Sequence, residues 1–96
     1  MELPLKIQLS LKAHVDFSSF LVLDVISLAN GKDMALLMPR GGRDCYYNIQ
    51  IDGDSKYFGN FDNMMEFALY HKLITKAYAN TLIKRHTKYM EELKND

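Results

Sequence analysis

Cysteine is nearly missing from this chain. Cys45 stands alone among 96 residues, so no internal disulfide can form, and a reducing compartment suits the chain best. Tryptophan is absent, and proline occurs twice and glycine five times, which excludes collagen-like, proline-rich and flexible-linker compositions. No charge of either sign dominates: 12 basic and 12 acidic residues cancel, so the strong nonspecific pull on phosphate that a basic nucleic-acid binder exerts is not expected. Long apolar runs are missing too. The longest, Phe20 to Leu23 and Met34 to Met38, fall far short of the roughly 20 residues a membrane span needs. Neither a basic-then-apolar leader at Met1 nor an Asn-x-Ser/Thr sequon is present. The expectation is a cytoplasmic chain with no membrane partner.

What is present is apolar material, 48% of the residues, beside 25% charged. That is enough to close one core, and it predicts a single compact α+β domain over residues 1–96. Leu3, Leu5, Ile7, Leu9 and Leu11 alternate with polar partners, a period of two that predicts a strand near 3–12. Residues 16–29 give two readings. As a helix, Asp16 caps it and Phe17, Leu21, Val25 and Leu28 share a face, a reading favoured by the grouping of Asp16, Ser19, Asp24, Ser27 and Asn30 on the other side. As a strand, Val22, Val25 and Ile26 suit the pleat, and Asn30-Gly31 becomes the tip of a hairpin.

Further strands are predicted near 34–39, 45–51 and 56–61, making a small, mostly antiparallel sheet, with Asp52-Gly53-Asp54-Ser55 as the turn of the last hairpin. Two C-terminal helices follow, near 62–72 and 75–94. The first starts at Asp62 or Asn63 with Glu66 completing a capping-box pattern, and Thr75 caps the second. In that second helix Ala79, Leu82, His86, Tyr89 and Leu93 recur at spacings of three and four and form an apolar seam. It predicts packing on the protein's own sheet, with a second copy of the chain as the other taker. Arg85 and Lys88 lie off the seam, which predicts that both tolerate glutamate.

Residue chemistry excludes more than it supplies. His14, His71 and His86 are scattered, without C-x-x-C or H-x-x-x-H spacing, so no metal is expected. The Asp52–Asp54 turn lacks the remaining ligands of a calcium loop. No nucleophile elbow surrounds a serine and no Cys/His signature surrounds Cys45. The glycine-rich stretch from Arg40 to Arg43 lacks the lysine and hydroxyl of a P-loop, leaving a loop whose guanidinium groups suit an anion. No cofactor and no enzymatic activity are expected.

The run Tyr46-Tyr47-Asn48-Ile49-Gln50-Ile51-Asp52-Gly53, then Lys56-Tyr57-Phe58-Gly59-Asn60-Phe61-Asp62, then Glu66-Phe67-Ala68-Leu69-Tyr70 resembles the strand, strand, Gly-x-Phe, helix pattern of AP2-type and integrase arm-type DNA-binding domains. The resemblance covers about a quarter of the chain. It implies DNA read by the exposed face of a three-stranded sheet. Where those domains carry arginines and tryptophans on the strands, this hairpin offers Tyr46, Asn48, Gln50 and Asp52, with Lys56 the one base.

Charge is unevenly spread. Residues 72–96 carry six bases against three acids, and residues 52–66 four acids against one base. Six tyrosines, five phenylalanines and six methionines exceed what a core of this size hides, and exposed aromatics with arginine are the makings of an interface. The sequence therefore predicts a non-enzymatic protein-binding module, a small regulator or inhibitor. Its expected contact residues are Arg40, Arg43, Tyr46, Tyr57, Tyr78, Arg85, Lys88 and Tyr89. Small neutral α+β chains of this kind are common among bacteriophage and mobile-element inhibitors of host machinery, an analogy of size and class. The alternative is nucleic-acid binding through Lys76, Lys84, Arg85, Lys88 and the Arg40–Arg43 loop.

Overall fold

The computed structural model describes residues 20–40, 46–52 and 54–94. The strand expected near 3–12, Arg43 and Cys45 lie outside them. Four strands, β1 (Phe20–Ser27), β2 (Asp33–Pro39), β3 (Tyr47–Ile51) and β4 (Asp54–Phe58), precede two helices, α1 (Phe61–Tyr70) and α2 (Lys76–Lys94). The strands form one antiparallel meander in the order β1-β2-β3-β4. An α+β fold with a small sheet followed by two C-terminal helices is therefore what the chain adopts.

The helix reading of residues 16–29 is overturned for residues 20–27, which are β1. The pairing with β2 slips between Val22 and Asp24, so Leu23 and Asp24 share the place of one residue, a β-bulge. The slip changes the phase of the strand. Leu21 and Leu23 join the main core before it, and Ile26 and Leu28 join after it, while Phe20, Val22 and Val25 pack on the other face. A broken period of two imitates a helical one. Asn30-Gly31 forms the hairpin tip, with Gly31 at φ 84°, where a side chain is disfavoured. The Leu28 N–H reaches the Lys32 carbonyl at 2.8 Å across the turn.

The second hairpin is regular. Ile51 faces Asp54, so the turn shrinks to two residues and β4 begins at Asp54 rather than Lys56. Asp52 takes φ 51°, as Asp-Gly hairpin turns require. Phe61 belongs to α1 rather than to β4, because Asn60, in extended backbone, caps the helix by accepting the Asn63 N–H at 2.8 Å. The cap thus lies two to three residues before the expected Asp62 or Asn63.

The break between the helices is a Schellman motif. The Leu73 N–H bonds the Ala68 carbonyl and the Lys72 N–H bonds the Leu69 carbonyl, with Lys72 at φ 56° in the place glycine usually takes. Thr75 caps α2 as expected, its hydroxyl accepting the Tyr78 N–H at 3.1 Å.

The main core lies between one sheet face and the helices. Leu23, Met34, Leu36, Met38, Tyr47, Ile49 and Phe58 meet Met64, Met65, Ala68, Ile74, Ala79 and Leu82. The α2 seam is thus spent on the protein's own core, with His86 and Tyr89 half-buried along it. β2 is buried from Met34 to Met38 on both faces, and its continuous apolar run follows from that central position.

Candidate functional site

Thr81, Lys84, Arg85, Lys88 and Tyr89 recur at helical spacing and line a groove of about 290 Å³ along the outer side of α2. The β1 bulge sets its orientation. A bulged residue drops out of the ladder, and the Leu23 carbonyl accepts instead from Arg85 Nη1 at 2.9 Å. The same Nη1 lies 3.0 Å from Asp24 Oδ2, with the two side chains 33% and 14% exposed. Asp24 Oδ1 accepts the Val25 N–H at 2.8 Å, which holds the carboxylate in place. Arg85 is therefore anchored at one end and open to the groove along its edge. Arg85 is therefore not the unengaged surface residue that its place off the seam predicted: glutamate there would set a carboxylate against Asp24 and leave the Leu23 carbonyl without its donor.

Lys84 and Lys88, one turn apart and exposed, stand in no ion pair with another described residue. Like charges at this spacing repel by about 0.2–0.5 kcal/mol. No acid lines the groove. Tyr89 turns its ring against the main core.

On the inward side of the same helix, His86 joins three elements. Its Nε2 lies 2.6 Å from the Tyr47 hydroxyl of β3, and Phe61 of α1 stacks on the imidazole at 4.0 Å and 3°. Burial pushes the His86 pKa down, opposed by the Asp62 carboxylate. Burial also raises Tyr47, and Asp62 adds to that. The lowered pKa favours the neutral imidazole, and the direction of its hydrogen bond with the Tyr47 hydroxyl follows from which ring nitrogen carries the proton. A ring stacked on a phenyl and hydrogen-bonded to a phenol ties the helices to the sheet.

The other expected contact residues fall elsewhere. Tyr46 and Tyr57 are 56% and 57% exposed, the first just before β3 and the second on its neighbour β4. Asn48 and Tyr57 are paired across those strands, so Tyr46, two residues before Asn48, shares their face diagonally. β1, where Arg85 is anchored, lies at the opposite end of the four described strands, about 14 Å away at the usual strand spacing. Arg40 donates from Nε to the Phe20 carbonyl at 3.3 Å, closing the open end of the first hairpin. Tyr78 packs on the main core. Arg85, Lys88 and Tyr89 come together; the remaining described candidates do not join them.

Sequence reasoning left out Thr81 and the anchoring role of Asp24. The spacing 81, 84, 85, 88, 89 held the signal for the groove; nothing local signals a contact between residues 24 and 85. It also missed that the sheet face carrying Asn48 and Gln50, which the resemblance sets against DNA, is buried at those residues, 1% and 4% exposed. Asn48 Oδ1 and Gln50 Nε2 have no hydrogen-bond partner among the described residues.

Among the described residues no group of three or more His, Cys, Asp or Glu gathers to hold a metal, and no helix is long and apolar enough to cross a membrane. Compared with known proteins, the chain matches no family model, no curated protein and no solved structure.

Proposed function

We propose that the protein is a non-enzymatic protein-binding module, a small regulator or inhibitor that occupies a surface of its partner, and that the outer side of α2 is the surface it offers. The observation that carries this reading is the anchored Arg85 beside Tyr89 in one groove. Arginine and tyrosine dominate interface hot spots, and a guanidinium already held by the Leu23 carbonyl and Asp24 loses little freedom when a partner arrives. Lys84 and Lys88, with no acid among the groove's lining residues, favour nucleic acid as the second reading; a net charge of zero weighs against it.

Affinity capture from the native host, read by mass spectrometry, tests the choice. We expect one protein partner held by the wild type and released by Lys84→Glu/Lys88→Glu at an unchanged thermal midpoint. No captured protein, together with a gel shift on mixed DNA and RNA that is strong at about 50 mM salt and gone by about 200 mM, replaces this reading with the nucleic-acid one.

A further inference from the structure

Resting on the reading of α2 as the contact surface, we infer that its groove is a receptor for a phosphomonoester carried on the partner, as on a phosphorylated side chain. Charge decides the class of ligand. Lys84, Arg85 and Lys88 less the Asp24 carboxylate leave two positive charges at the groove. A phosphomonoester brings about −1.5 to −2 and three acceptor oxygens, whereas one carboxylate brings −1 and leaves half the charge unmatched.

Donor chemistry agrees. The groove is lined by two ammonium groups, a guanidinium and two hydroxyl-bearing side chains, Thr81 and Tyr89, all able to donate to an oxyanion. The two lysines repel each other in the free protein, and an anion between them turns that repulsion into attraction. Arg85 serves differently. Its Nη1 is spent on Leu23 and Asp24, so it contributes field and position, and the lysines contribute the mobile contacts.

The test is an NMR titration of the full chain at pH 7.5 with O-phosphoserine, with inorganic phosphate and glutamate as parallel arms. We expect the amide signals of Thr81, Lys84, Arg85 and Lys88 to move together and saturate with O-phosphoserine, inorganic phosphate to reproduce the pattern, and glutamate to fall well behind. Lys84→Gln/Lys88→Gln should weaken O-phosphoserine about tenfold or more, while Lys72→Gln/Lys76→Gln leaves it unchanged. Shifts that never saturate, glutamate equal to O-phosphoserine, or an unaltered affinity in Lys84→Gln/Lys88→Gln overturns the assignment. So does a short single-stranded oligonucleotide that outcompetes O-phosphoserine and loses affinity steeply with salt.

The two readings fail separately. Loss of partner capture in Lys84→Gln/Lys88→Gln without O-phosphoserine binding in the wild type removes the phosphate site and keeps the contact surface; O-phosphoserine binding with partner capture untouched by that variant does the reverse.

Discussion

The two helices hold the sheet in different ways. α1 follows the β3–β4 hairpin directly and clamps it with neighbours in sequence: Phe67 meets Phe58 at 5.2 Å and lies under the Lys56 ammonium at 5.1 Å. α2 reaches across to β1, 62 residues earlier, through Arg85 and the bulge carbonyl. The local clamp is apolar and continuous. The distant one adds a charge-assisted contact with β1 to the apolar packing of the α2 seam, and that is where the candidate site lies. A surface built on long-range anchoring keeps its position only while the anchor holds, so stability and recognition are coupled on the β1 side and separable on the β4 side.

The largest effect tests whether α2 is core at all. Leu82, fully buried against the sheet, should cost about 2–5 kcal/mol when cut to alanine. Chemical denaturation measures it, and an unchanged midpoint means that the α2 seam faces away from the sheet.

Next comes the anchor. Arg85→Glu removes hydrogen bonds to a charged group in a half-exposed setting, and about 1.5–3 kcal/mol should be lost. The swap Asp24→Arg/Arg85→Asp should recover part of it, whereas Lys88→Glu should stay within about 0.5 kcal/mol. Equal losses for Arg85→Glu and Lys88→Glu would erase the distinction between anchor and groove wall.

The joint between the two helices gives a pH signature. Burial lowers the pKa of His86 below its ordinary 6.5. Its contribution is therefore complete above pH 6.5 and lost as pH falls through the depressed value, where the unfolded chain binds the extra proton. Tyr47 is raised above 10.0, so its contribution is complete below that pH and lost as pH rises through the raised value. Denaturation midpoints against pH should show both limbs, and His86→Phe should remove the acid limb alone.

Legibility follows the same division. The β3–β4 hairpin, the Thr75 cap and the α2 seam all rest on spacings within about 20 residues, and each was readable, although the hairpin turn was read two residues too long. β1 was not. Its bulge moves Ile26 and Leu28 onto the face that Leu21 and Leu23 occupy, and no residue in the strand announces the slip. Arg85 was recognised as a contact residue by type, but its bond to Leu23 joins segments that only the folded sheet brings together. Asn48 and Gln50, polar residues in an alternating strand on the face the resemblance sets against DNA, are buried.

The smallest effect probes the local clamp. Lys56 is exposed on β4, an outer strand of the sheet among the described residues, and covers the Phe67 ring. An exposed cation–π contact contributes about 0.5–1 kcal/mol, so Lys56→Ala should lower stability by no more than that. Lys56 also guards the edge, since a charge on an edge strand discourages pairing with a second chain. Lys56→Val, which suits a strand better, should therefore leave the denaturation midpoint nearly unchanged while raising the sedimentation coefficient with concentration. A variant that stays monomeric at every concentration would show that the edge is guarded by its short length and exposed tyrosine instead. Lys56→Ala costing as much as Arg85→Glu would mean that the two clamps are held by charge alike, and the contrast between a local apolar grip and a distant ionic one would fall.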